Sequence, residues 1–245
     1  MVQTVFLAGA SGAVGQILAP MLVAHGYRVY GTTRHAQRAE RLAAQGVVPV
    51  VVDVFDPNAL NEAIGAAKPY AVIHQLTALP PGLDPARMPA ALIENARIRD
   101  EGTRNLVAAA VGAGARRIIA QSVAWAYRPG TVPYDETQPL DTEAAAPRSV
   151  TVNGVIALER AVLESPMVGT VLRYGRFYGP GTGADVAPGP GSVHVEAAAH
   201  AALLALRYAD GGVFNVAEEG GDVTSARARD LLAWSDAFRV ERVQQ

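Results

Sequence analysis

The run Val5-Phe6-Leu7-Ala8-Gly9-Ala10-Ser11-Gly12-Ala13-Val14-Gly15-Gln16-Ile17-Leu18 constrains the fold more than any other stretch of the chain. A short apolar segment of strand character ends in three spaced glycines, and a segment with helical apolar spacing follows. Glycine lets backbone amides approach a phosphate with no side chain in the way, and the positive end of a helix favours the negative charge. A second strand-like run at Arg28–Thr32 completes the strand–turn–helix–strand context that such a turn needs. Gly9, Ser11, Gly12, Ala13, Val14 and Gly15 are therefore expected to receive the pyrophosphate of a dinucleotide.

The same rhythm continues along the chain. Further strands are expected at Val48–Val52, Ala71–His74, Arg117–Gln121, Gly169–Arg173 and Val213–Val216. Helices are expected at Val14–His25, Arg38–Ala44, Pro57–Ala66, Ala91–Gly112, Val152–Glu164, Val195–Tyr208 and Thr224–Ala233. β-branched runs alternating with Ala/Leu-rich segments are the pattern of a parallel sheet buried under helices. The expected class is α/β, a doubly wound Rossmann-type parallel sheet with helices on both faces. With 245 residues one domain is expected. Residues 1–175 would be mainly the dinucleotide-binding core, and 176–245 mainly a small, reduced C-terminal substrate lobe with a returning strand. Residues Val123–Ser149 and Gly175–Gly191 hold too many prolines and glycines for element interiors. They follow the fifth and sixth strands, where open α/β sheets bind ligands, and are expected to wall a substrate site.

Composition narrows the chemistry. Half the residues are apolar and the formal charge is −2, which gives no bias toward nucleic acid or an anionic membrane. Cysteine is absent, so thiolate nucleophiles and cysteine-ligated zinc are excluded, and no metal site is expected. The apolar strand begins within the first few residues without a basic leader, and no stretch approaches the roughly 20 apolar residues of a membrane span. A cytoplasmic location is expected.

The second strand ends Gly31-Thr32-Thr33-Arg34, where an NAD-preferring unit would place an acidic residue. A guanidinium can hold a 2′-phosphate through two parallel hydrogen bonds, so NADP is the expected cofactor, with NAD as the alternative. Thr33 and Arg34 carry that expectation, supplemented by His35 and Arg38. Asp53 and Val54, at the end of the third strand, are expected beside the adenine. Leu76, Thr77 and Ala78, after the fourth strand, are expected under the middle of the cofactor.

The segments GASGAVG, AVIHQLTAL, RIRDEGTRNLVAAA, RRIIAQSVAWAY, LRYGRFYGPG, VHVEAAA and FNVAEE run in this order from about Val5 to Glu219. Together they resemble the extended and atypical short-chain dehydrogenase/reductases, particularly the NAD-dependent epimerase/dehydratase family. The tail SARARDLLAWSDAF resembles the end of such proteins, with little material between Glu219 and Ser225. The resemblance adds Gln121, Tyr174 and Phe177 to the expected cofactor contacts. It also implies a small-molecule substrate and a homodimer formed through the long helices.

The resemblance further implies a serine or threonine after the fifth strand and a tyrosine–lysine pair, four residues apart, on the next helix. A phenol has a pKa near ~10, and the neighbouring cation is what makes it useful near neutrality. Ser122 fits the hydroxyl position. Aligning the family's helix glutamate with Glu159 places Thr151 at the tyrosine and Val155 at the lysine. Lys68 is the single lysine, and the residue four before it is Ile64. Among the tyrosines, Tyr30 alone is followed at four residues by arginine, Arg34, at the adenosine end. Val123-Ala124 stand after Ser122 where related sugar-nucleotide dehydratases often carry Asp-Glu.

Tyr127 is the first replacement donor expected, followed by Tyr174, Tyr178, His194, Asp135 and Glu136. The leading expectation is an NADP-binding reductase or epimerase acting on a small carbonyl or hydroxyl compound with a non-standard proton donor, using Ser122 and Tyr127. A silent NADP-sensing module and a non-redox isomerase or cyclase are the alternatives.

Overall fold

The computed structural model describes residues 2–241. β1 (Thr4–Ala8) shows why the chain layers as it does. Val5 and Leu7 face one helical layer, and Phe6 and Ala8 the other. Period-two alternation thus divides one strand between two cores.

β1, β2 (Arg28–Thr33), β3 (Val48–Val51), β4 (Ala71–His74), β5 (Arg117–Val123), β6 (Val168–Tyr174) and β9 (Gly212–Val216) form one sheet in the order β3-β2-β1-β4-β5-β6-β9. All its pairings are parallel. The strand order reverses between β1 and β4, which opens the crevice where such sheets take ligands. α1 (Ala13–Ala24), α2 (Ala39–Ala44), α7 (Val195–Tyr208) and α8 (Ala226–Leu232) contribute to the core on one face. α3 (Pro57–Ala67), α5 (Thr103–Gly112) and α6 (Arg148–Leu163) contribute to the other.

The seven expected strands and the doubly wound order are present. Two features differ from the sequence reading. The helix expected at Ala91–Gly112 begins earlier and is divided, as α4 (Met88–Arg97) and α5, by a π-helical turn at Ile98–Gly102. Gly102 fits closely under Val54 there, with only 3.1 Å available to a Cβ. Ile98 and Arg99 within this turn are both buried. Inside the glycine-rich second loop the chain forms a small parallel pair, β7 (Arg176–Tyr178) and β8 (Ser192–His194). Proline and glycine punctuation hid these three-residue strands. The tip of this loop crosses to the segment after β4, where Gly183 lies against Gly82.

Candidate functional site

Gly9 leaves β1 at φ +90°, and a Cβ there would meet the Gln75 carbonyl oxygen at 2.7 Å. Gly15 has no room either, because its Cβ would collide with the Gly9 carbonyl. The turn is held by Gly12 N–H donating to Gly9 O (3.0 Å) and by Gly9 N–H donating to Thr32 Oγ1 (3.0 Å). Gly12 is the N-cap of α1 and offers no capping side chain. The first amides of α1 therefore face open space, as an anion cradle requires.

A cavity of about 110 Å³ lies beside this turn, lined among others by Gly9, Ser11, Thr33, Arg34, Asp53 and Val54. It opens onto a cleft of about 1460 Å³ that shares Ser11, Gly12, Arg34 and Gln75 with it. The cleft also takes in Ala13, Val14, Thr77, Ala78, Gln121, Tyr174 and Phe177. Leu76 lines the smaller cavity. Gly15 lies behind the turn and shapes it. The remaining expected cofactor residues are thus brought to one continuous depression. Its larger part is basic, with Arg34, Arg38, Arg41, Arg87, Arg99 and Arg176 on its walls against the single carboxylate of Glu94. Glu94 reaches Arg34 at 3.8 Å, and both side chains are substantially exposed. The Asp53 carboxylate accepts from the Phe55 amide (3.0 Å).

Of the two hydroxyls expected to do chemistry, that of Ser122 belongs to a residue lining the same cleft, whereas Tyr127 lies outside it. Ser122 is 1% exposed, and its Oγ donates to Glu159 Oε1 at 2.7 Å. Glu159 takes two hydrogen bonds from Arg173, Nε to Oε1 at 2.9 Å and an Nη to Oε2 at 2.6 Å. Arg173 in turn donates to the Tyr127 hydroxyl (2.8 Å), which donates to Asn215 Oδ1 (2.7 Å). Burial pushes the Tyr127 phenol above its ordinary range, and Arg173 only partly offsets this. Burial also works against the Arg173 charge, but the Glu159 carboxylate more than restores it. Tyr127 is 4% exposed, stacks on Tyr134 with ring centroids 5.3 Å apart, and is not among the residues lining the cleft. The expected donors Ser122 and Tyr127 are therefore ends of a buried ionic chain that ties β5, α6, β6 and β9 together.

α6 presents one residue to the cleft, Thr151. Val155 is sealed in an apolar cluster with Ala126 and Val152, against which Val123 packs. Lys68 is the C-cap of α3, immediately ahead of β4 and so at the opposite end of the sheet. The other expected donors are also engaged. The Tyr174 hydroxyl donates to Ala198 O (3.1 Å), and burial raises its pKa. Tyr178 donates to Glu218 (2.6 Å), and Glu136 accepts from the Asn215 amide (2.7 Å). His194 N-caps α7 by accepting from Glu196 N–H (3.2 Å), and Asp135 holds Thr137.

Two groups that the sequence reading did not assign stand on the cleft wall. Gln75 is 4% exposed and stands beside the Tyr174 hydroxyl, which donates to Ala198 and keeps its oxygen free to accept from the Gln75 NH₂, while the Gln75 carbonyl oxygen has no partner among the described residues. Arg99 lies within the π-helical turn and is buried. Behind it, the Leu76 amide donates to His74 Nδ1 (3.2 Å), which leaves the His74 proton on Nε2, 3.1 Å from Thr103 Oγ1. Burial, with Arg99 adding to it, pulls the His74 pKa down to about 4, so this imidazole stays neutral. No cluster of side chains able to hold a metal ion occurs among the described residues. No helix among them is long and apolar enough to cross a membrane.

A tight glycine turn at a helix start, at the switch point of a parallel sheet and leading into a basic cleft, defines a nicotinamide-dinucleotide-binding protein of the Rossmann class. The comparisons agree. The model of the NAD(P)H-binding family matches residues 9–202, and the chain belongs to that family. A curated relative, the 3-diazoavenalumate denitrifying reductase of a Streptomyces species, is 46% identical over 181 residues, covering 73% of this chain and 58% of that protein. The chain thus matches somewhat more than half the length of that relative. Among solved structures, the UDP-glucose 4-epimerase of Thermotoga maritima superposes with a TM-score of 0.74 at 18% identity, over 94% of this chain and 93% of that one. A Bordetella bronchiseptica enzyme solved with NAD gives 0.72 at 18% identity, over 98% and 91%. The fold is shared with these two enzymes.

Proposed function

We propose that this protein is an NADP(H)-dependent reductase acting on a small electrophile that is activated before it binds, so that the protein need not supply an acid. The observation that carries this reading is the division of the site. The cofactor cradle is open and basic, whereas Ser122 and Tyr127 are locked with Glu159 and Arg173.

The residues present fit the cofactor. Gly9 and Gly15 let the turn close on itself and on Gln75 where no Cβ would fit, which keeps Gly9, Ser11, Gly12 and the Gln75 amide along one depression. Ser11 and the α1 amides would hold the pyrophosphate, Thr33 and Arg34 the 2′-phosphate, and Asp53 and Val54 would border the adenine. Leu76, Thr77, Ala78, Gln121, Tyr174 and Phe177 would flank the nicotinamide half. When bound, the reduced nicotinamide supplies a hydride. The chain's own work is positioning and exclusion of water. Tyr174 and Phe177 pack together at a centroid distance of 5.3 Å, and the Gly183–Gly82 contact closes the cleft on that side.

The name of the Streptomyces relative supplies a substrate class that suits such a site, a diazo compound. A diazonium group R–N₂⁺ that takes hydride gives R–H and N₂. The new bond to hydrogen replaces the C–N bond, charge balances, and no proton is drawn from the protein. A carbonyl would instead need a proton on oxygen, which the locked phenol of Tyr127 is poorly placed to give. A reductase using NADPH in this way would work in the cytoplasm.

The test is to mix the protein with NADPH and 4-carboxybenzenediazonium and follow NADPH absorbance together with N₂ release. Equal amounts of NADPH consumed and N₂ formed, faster than without protein, are expected. Tight NADP binding with no acceleration of diazonium or carbonyl reduction would overturn this reading in favour of a cofactor-sensing protein.

A further inference from the structure

We propose that Arg99 is the anchor for a carboxylate on the substrate, so that this site selects acids over their neutral analogues. The proposal rests on the reading of the cleft as a reductase site and deepens it.

Arg99 is 7% exposed and lines the cleft, yet no ion pair or hydrogen bond to it is formed among the described residues. Its own helix could have supplied a partner. The helical stretch from Met88 to Gly112 carries three arginines and three carboxylates. Arg97 takes Glu101 at 2.7 Å, Arg104 takes Asp100 at 2.9 Å, and Glu94 turns toward Arg34. Each carboxylate is thus committed elsewhere, and Arg99 is left facing the cleft. Burial pulls its pKa down to about 10, so it remains a cation at neutral pH. Its nitrogens reach the open space of the cleft without a partner among the described residues, where a ligand's negative charge would meet a largely desolvated cation.

The local structure is built to hold Arg99 in that place. Arg99 lies four residues after buried Asn95 and four before buried Thr103, on the inward face of the helical stretch, and it sits within a π-helical turn, a feature that recurs at functional sites. The turn is braced by Thr103, which stands between His74 Nε2 (3.1 Å) and the Ile98 carbonyl (3.5 Å). Neutral His74 brings no negative charge to satisfy Arg99. Around the same cleft are further uncharged groups suited to an oxyanion: the Gln75 amide, the Thr151 hydroxyl and the Asn95 amide. Asn95 already accepts from the Ala78 amide through Oδ1 (2.8 Å), which leaves its NH₂ as a donor. A planar guanidinium with amide and hydroxyl donors matches a carboxylate in two parallel hydrogen bonds.

A phosphate of the cofactor offers similar chemistry, so the experiment must separate the two sources. Cinnamate, benzoate and their primary amides are titrated by calorimetry into the NADP complex of the wild type and of Arg99→Gln and Arg99→Lys. NADP itself is titrated into each protein. The wild type is expected to bind an acid at least tenfold more tightly than its amide. In Arg99→Gln that preference is expected to vanish, in Arg99→Lys to return in part, and NADP affinity to stay within about twofold in both.

Thermal unfolding supplies a second readout. Removing an unpaired buried charge is expected to leave the melting temperature of ligand-free Arg99→Gln unchanged or higher, whereas a structural arginine would lower it. Retained acid preference in Arg99→Gln, no acid preference in the wild type, or a tenfold loss of NADP affinity would each overturn the proposal. These binding measurements need no turnover, so they stand or fall separately from diazonium reduction.

Discussion

On the β1–β4 side of the cleft, Ser11, Gln75, Asn95 and Arg99 carry polar groups to the open space, whereas on the β5–α6 side Ser122, Glu159, Arg173 and Tyr127 close on one another. Both sides are rich in hydrogen-bonding groups. They differ in how fully their groups are paired, since Asn95 is bonded through Oδ1 alone and Arg99 has no partner among the described residues, whereas Ser122, Glu159, Arg173 and Tyr127 are all engaged. A satisfied network fixes geometry and holds its protons tightly, while an unsatisfied wall is prepared for a ligand. The open groups are gathered on one side of the cleft, and behind the other side a closed network takes up Ser122 and Tyr127.

Breaking the closed wall should have the largest effect. Glu159→Gln leaves Arg173 buried with only one full charge in the pair, and a loss of about 3–5 kcal/mol in urea unfolding is expected. A loss under about 1 kcal/mol would show that water reaches Arg173 and that the wall is not closed.

The second effect concerns the brace behind the open wall. The His74 pKa is about 4 in the folded chain against 6.5 for an unperturbed imidazole. Below pH 6.5 the unfolded chain gains a proton that the folded chain refuses. Its contribution to stability is therefore complete above pH 6.5 and falls on the order of 3 kcal/mol as pH drops to about 4. His74→Gln should remove that part of the acid sensitivity, which chemical denaturation at a series of pH values will show.

A smaller effect sharpens the cofactor assignment on the open wall. If Arg34 holds a 2′-phosphate, Arg34→Ser should weaken NADP binding by about 1.5–3 kcal/mol, roughly ten- to a hundredfold, and leave NAD unaffected. Equal weakening of both cofactors would place Arg34 at another part of the dinucleotide.

Much of the open wall was legible in the sequence because its determinants are local. Gly9, Gly12 and Gly15 announce themselves through what their backbone must do, and the strand–helix alternation around them sets the sheet. The closed wall was not legible for the opposite reason. Ser122 fits the hydroxyl position that the resemblance implies, and only the packing of β5 with α6 and β6 reveals that its hydroxyl meets Glu159, 37 residues away in sequence. Tyr127 is likewise explained by Asn215, 88 residues distant. Arg99 was missed because one arginine among many carries no signal by itself. What distinguishes it is a π-helical turn, which has no sequence period of its own, and the commitment of Glu94, Asp100 and Glu101 to other partners.

The most direct test of the division between the walls is turnover of the double variant Ser122→Ala/Tyr127→Phe with NADPH and 4-carboxybenzenediazonium, corrected for the fraction folded. Some loss of stability is expected, since three buried hydrogen bonds go, those of Ser122 to Glu159, Tyr127 to Asn215 and Arg173 to Tyr127, at about 1 kcal/mol or more each. The rate per folded molecule should remain within about twofold of wild type and keep the same pH profile. A fall on the scale of ~10²-fold or more, the usual result of deleting a general acid or base, would return Ser122 and Tyr127 to the chemistry and contradict the account.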